Sequence, residues 1–246
     1  MTTKQSEVVE GFVLKSTPYK ERDVLLQVYT KEYGKITIHA RGIQSPKSKN
    51  RAACLTLTLS QFTIIYKEGI SSLVKASIIH EYRILKQSIE LEIFASFILE
   101  YLLVMTESHE PDSDIYQNAF IAFEKLEQGY SYYLIYALFI AFILRIHGCS
   151  LVVDGCIECG RKDHLTRISY SGGFVCEECA TKFDKPYDLD VLRAFRYINL
   201  CPMDKVDCLD MEEAIILEVA KTMQQFLDEF SGINFKTKKF IKSLLI

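Results

Sequence analysis

The sequence predicts an α+β protein: an N-terminal five-stranded β-barrel of the OB type, followed by an all-α helical domain with a four-cysteine zinc-binding insertion. Three observations lead there. Apolar residues recur at strand period as far as Tyr82 and at helix period beyond it. Five strand-like runs fall within roughly 75 residues, too few for an immunoglobulin-type sandwich but suited to a small closed barrel, with an SH3-like barrel as the alternative. Two Cys-x-x-Cys pairs stand in a stretch that follows neither period. The predicted division is 1–82 for the barrel and 83–246 for the helices, with the zinc segment at 154–182.

The predicted strands are Val8–Ser16, Asp23–Thr30, Lys35–Arg41, Leu55–Tyr66 and Leu73–Tyr82, all rich in Val, Ile, Thr, Leu and aromatics. In the third, Ile36, Ile38 and Ala40 share one face while Lys35, Thr37, His39 and Arg41 share the other. Turn signals separate them: Thr17-Pro18, Glu32-Tyr33-Gly34, the stretch Gly42–Asn50, and Glu68-Gly69. After Tyr82, Glu90–Thr106 reads as a nearly all-apolar helix, and Pro111-Asp112-Ser113-Asp114 stops it and caps the next. Helices are expected at Ile115–Glu127, at Tyr130–His147 with Gly148 closing it, at Asp188–Ile198 and at Met211–Phe230. A basic amphipathic tail starts at Phe235. Helices apolar nearly all round belong inside a bundle.

Hydrophobic residues make up 49% of the 246 residues and charged residues 25%, the balance of a folded chain rather than a disordered one. The net charge of −3 excludes a uniformly basic protein, yet residues 1–80 hold 12 Lys or Arg against 6 Asp or Glu, and the rest hold 17 against 26. That asymmetry points the N-terminal part at a polyanion. The polar, acidic start offers no signal peptide. The longest apolar run, Tyr132 to Leu144, has 13 residues, where a bilayer needs about 20. The expected location is the cytoplasm, without membrane contact, where the eight cysteines are thiols or metal ligands rather than disulfides.

Cys156 and Cys159 form one pair, Cys176 and Cys179 the other, with 16 residues between. Two residues between paired cysteines let a tight turn aim both sulfurs at one ion, and Gly160 gives the backbone that freedom. Two such turns make a closed tetrahedral shell, so one structural Zn2+ is expected, with no open position for catalysis. A deaminase is excluded because Cys156 follows Gly155, Cys176 follows Val175, and no His-x-Glu lies upstream. His80-Glu81 is not a metalloprotease motif, since Ile84 occupies the second His position. Cys54, Cys149, Cys201 and Cys208 lack metal spacing and are expected to be core or incidental thiols, and His164 is a spare.

Between Arg41 and Arg51 lie four cations, Arg41, Lys47, Lys49 and Arg51, and no acid. Lys15, Lys20, Arg22 and Lys35 lie on the neighbouring strands and turn. Barrels of this kind hold single-stranded nucleic acid in a cationic groove, with aromatics stacked on bases. Tyr19, Tyr29, Tyr33 and Phe62 are the candidate platforms, although most of them are expected in the core. No phosphate-binding Gly-x-x-x-x-Gly-Lys, Rossmann fingerprint or Gly-x-Ser-x-Gly occurs, so no nucleotide cofactor and no enzymatic activity are expected. A zinc-containing adaptor whose barrel binds protein is the alternative.

In their order and spacing these segments resemble the RecO family of bacterial DNA repair and recombination mediators. The matching residues are Gly11-Phe12-Val13-Leu14, Glu21-Arg22-Asp23-x-Leu25-Leu26, Tyr33-Gly34-Lys35, Ala40-Arg41-Gly42, Lys47-Ser48-Lys49, the cysteine pairs and Lys238-Lys239-Phe240. The resemblance implies an OB fold, a helical domain and a zinc insertion. It also implies ATP-independent annealing of complementary strands, and loading of recombinase onto DNA coated by single-strand-binding protein (SSB) in the RecF pathway. The implied partners are single-stranded DNA, double-stranded DNA as a further one, RecR, and the acidic tail of SSB, with the protein associated with the nucleoid. A groove rimmed by Arg145, Arg193, Arg196, Lys238, Lys239 and Lys242 is expected to take that tail. Two departures stand out: Ile43-Gln44-Ser45 replaces an expected cation, and the C-terminal segment carries lysine where arginine is common.

Overall fold

The computed structural model describes residues 5–232 and 235–246. The chain divides into two compact units, Met1–Phe123 with Phe235–Thr237, and Glu124–Asn234 with Lys238–Ile246.

In the first unit, β1 (Glu7–Tyr19), β2 (Asp23–Thr30), β3 (Gly34–Ala40), β4 (Thr58–Ile65) and β5 (Ile70–Glu81) close a barrel in the order β1-β2-β3-β5-β4. Every pairing is antiparallel except β3 with β5, which run parallel through Thr37–His39 and Ile70–Ser72. The alternation works as expected: Ile36, Ile38 and Ala40 enter the core with Val9, Val13, Leu26, Phe62 and Ile64. β4 begins three residues later than the sequence pattern suggests. Residues Ala52–Cys54 form a short 3-10 turn that buries Ala53 and Cys54, which takes the chain out of strand geometry before Thr58. The β2–β3 turn requires Gly34, at φ 61°, because a Cβ there would sit 2.3 Å from the Glu110 carbonyl oxygen.

The same unit contains α1 (Ile89–Met105), capped by Ser88, whose hydroxyl accepts from the Leu91 N–H, and most of α2 (Ser113–Glu127). Phe12 seats α2 against the barrel, with ring centroids 5.4 Å from Tyr116 and 5.1 Å from Phe123. Residues Phe235–Thr237 return to this unit. Phe235 packs on Phe97 at 5.2 Å, and the Glu100 carboxylate accepts from the N–H groups of Lys236 (2.7 Å) and Thr237 (2.9 Å) and from the Thr237 hydroxyl (2.8 Å).

The second unit is built on α3 (Tyr132–Ile146), buried continuously from Leu134 to Leu144. α4 (Leu189–Leu200), α5 (Glu213–Ser231) and α6 (Lys238–Leu244) complete its helices. Inside the bundle the Tyr136 hydroxyl donates to Gln224 Oε1, which satisfies both groups away from water. The zinc segment and the residues just after it hold a small sheet that the sequence pattern did not reveal: β6 (Leu165–Ser169), β7 (Gly173–Cys176) and β8 (Lys185–Pro186), in the order β7-β6-β8. No described helix is long and apolar enough to cross a membrane.

Candidate nucleic-acid interface and metal centre

The segment from Arg41 to Thr56 leaves β3 and is a folded strap, not a loose turn. Backbone bonds run from Ser45 N to Gly42 O, Ser48 N to Ser45 O, Arg51 N to Ser48 O and Cys54 N to Arg51 O, a chain of tight turns three residues apart. Ile43, Ala53 and Cys54 anchor it in the barrel core, and burial pushes the Cys54 thiol up to about 12. Midway, Asn50 Oδ1 accepts from the Ala76 N–H of β5 at 3.1 Å. Arg41, Lys47, Lys49 and Arg51 project from this fixed backbone, and all four are exposed.

Asp23 holds the root of the strap. One carboxylate oxygen accepts from the Gly42 N–H at 2.9 Å, and the other lies 2.8 Å from His39 Nε2. Gly42 N–H and then His39 hold the Asp23 carboxyl below its ordinary range. Gly42 sits at φ 65°, a conformation natural to glycine, and Gln44 N–H donates to the Arg22 carbonyl at 3.1 Å. The β1–β2 turn, carrying exposed Lys20 and Arg22, and the root at Arg41 are thereby joined at one end of the barrel. Lys15 is exposed further along β1, opposite Gln27.

Lys35 is placed differently from the expectation. Its ammonium donates to the carbonyls of Leu103 (2.7 Å) and Thr106 (2.5 Å) at the C-terminal end of α1, where helices leave carbonyls without partners. Burial pushes its pKa down, and the ammonium is committed to the helix end rather than to a ligand. Two of the four aromatic platforms also fall away, since Tyr29 and Phe62 are fully buried. Tyr33 is half-buried, stacked on Tyr66 at 4.2 Å and donating to Glu7. Tyr19 is 42% exposed.

In the second unit the four cysteines converge. The Sγ atoms of Cys156, Cys159, Cys176 and Cys179 all lie within 4.8 Å of one another, and the Cys159–Cys176 separation is 3.8 Å. A tetrahedral ion with sulfur at about 2.3 Å requires sulfurs about 3.8 Å apart, so the cluster fits such an ion. Each turn is set by its backbone. Gly160 N–H donates to Cys156 O at 2.9 Å with Gly160 at φ 74°, and Ala180 N–H donates to Cys176 O at 3.0 Å. Burial opposes ionisation of Cys156, but N–H groups, those of Cys176 and Cys159 first, outweigh it and hold the thiol at about 6. The sulfurs of Cys176 and Cys159 push Cys179 up to about 12. Four thiolates this close need a cation among them to coexist. Arg161 bridges the two turns through Glu178 at 2.6 Å. His164 is outside the cluster.

The six cations expected to form one rim are mostly engaged with carboxylates. Lys238 and Lys242 converge on Asp228 at 2.7 and 2.8 Å. Arg196 pairs with Asp154 at 2.6 Å and Arg193 with Asp190 at 3.4 Å. Lys239 lies 4.7 Å over the Phe240 ring, and Arg145 is exposed in the last turn of α3. The cavity of about 380 Å³ beside Arg193 is lined by Asp190, Asp210 and Glu212, which disfavours an acidic peptide there.

Comparison with known families matches residues 4–82 to the recombination protein O N-terminal family and residues 87–239 to its C-terminal counterpart. The DNA repair protein RecO of Listeria monocytogenes serotype 4a (strain HCC23) is 27% identical over 241 residues, covering 97% of this chain and 94% of the relative. RecO of Bacillus pumilus (strain SAFR-032) is 27% identical over 243 residues, covering 96% and 93%. RecO of Bacillus mycoides (strain KBAB4) is 27% identical over 244 residues, covering 96% of each.

Proposed function

Because the chain belongs to the recombination protein O family of DNA repair proteins, we propose that it binds single-stranded DNA on the cationic strap of its barrel and anneals complementary strands without ATP. Loading of recombinase onto SSB-coated DNA, with RecR and the SSB tail as partners, follows from the same reading. The observation that carries it is the strap itself: four cations, Arg41, Lys47, Lys49 and Arg51, on a backbone fixed at its root, middle and end. A strap whose backbone is already ordered loses little backbone entropy when its cations meet phosphates, and released counterions drive the binding. Screening the phosphates of two strands also lets them approach for pairing, and that requires no bond to be made or broken in the protein.

The four cysteines would hold one zinc, which supplies cross-linking of the two turns and no open coordination site. Among the partner cations, the four in ion pairs would have to give up a carboxylate to take an acidic tail. The tail reading therefore rests on Arg145 and Lys239. Anisotropy with an acidic peptide ending in Phe, full length and lacking that Phe, tests it; equal binding of both leaves only diffuse charge attraction.

The DNA reading is tested by replacing Arg41, Lys47, Lys49 and Arg51 together with Ala. Binding to labelled single strands should weaken alike across sequences. The slope of log affinity against log salt should flatten by up to about 0.7 for each phosphate that is no longer neutralised. Wild-type affinity at every salt concentration would remove the strap from the DNA site.

A further inference from the structure

We infer that Tyr19 is the nucleobase-stacking residue of the barrel, and that the His39–Asp23 pair is the positioning device that fixes its ring relative to the cationic strap. This rests on the single-stranded DNA reading above and names the group within that site that recognises a base rather than a phosphate.

Tyr19 is the one exposed aromatic side chain among the described residues of the barrel unit, at 42%. It ends β1 and is paired in register with Asp23, the first residue of β2. Its ring does not rest on the hydrophobic core. The ring meets His39 edge-on instead, with centroids 5.4 Å apart and planes at 89°. His39 is in turn fixed by Asp23 Oδ2 at 2.8 Å, with the two side chains only 14% and 18% exposed. Burying a polar pair at a strand end costs desolvation that a hydrophobic plug would not, so closing the barrel does not account for it.

The second oxygen of Asp23 explains what the pair accomplishes. It holds the Gly42 N–H at 2.9 Å and so fixes the root from which Arg41 and the strap depart. One carboxylate thus sets both an exposed ring and a row of cations. Lys20, in the adjoining turn, lies 5.4 Å over the Tyr19 ring, which brings a further cation to the same place. A nucleotide offers that chemistry in a single unit: a π-face to stack and a phosphate to neutralise.

The experiment uses the full chain and two probes of equal length, an oligo-dT and an oligomer of abasic sites with the same phosphates. Wild type should bind oligo-dT more tightly than the abasic strand by at least the factor that stacking one base supplies, about five- to a hundredfold. Tyr19→Ala should lose about five- to a hundredfold on oligo-dT, with abasic binding and salt slope unchanged, while Tyr19→Phe retains the preference. His39→Ala should lower the ratio of the two affinities without altering abasic binding. A strand carrying 2-aminopurine should be quenched by wild type and less so by Tyr19→Ala, a signal that loss of a merely structural side chain would not move. If Tyr19→Ala binds both probes as wild type does, the stacking role is overturned while the strap reading stands. An unchanged ratio in His39→Ala overturns the positioning role. A wild type that binds neither probe overturns the single-stranded DNA reading, and this inference with it.

Discussion

Replacing Lys35 with Met separates a structural cation from a DNA-binding one at a position where the sequence alone suggests the latter. The side chain donates two hydrogen bonds, to Leu103 O and Thr106 O, and the Lys35 carbonyl accepts from the His109 N–H at 3.1 Å. The ammonium thus joins β3 to the end of α1. Hydrogen bonds from a charged donor contribute about 1.5–3 kcal/mol each. Against that, Met keeps most of the stem packing and removes a partly desolvated charge, whose cost is visible in the lowered pKa of Lys35. The expected loss is about 2–4 kcal/mol, a fall in Tm of roughly 2–4 °C per kcal/mol for a chain of this size. Urea unfolding followed by circular dichroism and tyrosine fluorescence suits a protein without tryptophan. Below the transition, affinity for single strands and its salt slope should equal those of wild type. An unchanged midpoint together with a salt slope shallower by about 0.7 would refute the reasoning and return Lys35 to the DNA site.

Three more outcomes follow from the geometry. Cys176→Ser should release the bound metal, read by elemental analysis, and destabilise the second unit by several kcal/mol; wild-type protein purified without metal yet fully folded would sink the zinc reading. Gly173→Ala should be far more costly than Gly172→Ala in thermal melts. Both lie in backbone space natural to glycine, at φ 146° and 141°, but only at Gly173 would a Cβ meet a backbone atom, the Val152 oxygen at 2.1 Å. Asp23, held low by Gly42 and His39, contributes stability that is present above the ordinary Asp range of about 3.9 and lost as pH falls through its lower folded value. The Gly42 amide resonance should report that loss, and a transition above the ordinary range would contradict the clamp.

What could be read from the sequence followed the range of each interaction. The alternation of Ile36, Ile38 and Ala40 is local, and the barrel was legible from it. Cysteine spacing is nearly local, and it placed the four sulfurs together. The role of Lys35 was not legible, because its partners lie 68 and 71 positions away and nothing near it in sequence marks a helix end. Asp23 lies inside a recognised motif and His39 on the polar face of an alternating strand, yet only the fold shows that the Asp23 carboxylate joins His39 to Gly42. Arg196 looked available because its partner Asp154 is 42 positions away. The sheet β6–β8 has strands of two to five residues, too short for any period to emerge.

The return of Phe235–Thr237 bears on the order of synthesis. A ribosome exposes the barrel first, yet the surface formed by Phe97 and Glu100 must wait for residues more than a hundred positions downstream. Closing so long a loop is slow compared with local strand pairing. The first unit to emerge therefore stays incomplete until nearly the whole chain has been made. Until then it presents an unfilled apolar seat beside a carboxylate, the surface that a chaperone would meet on a nascent chain.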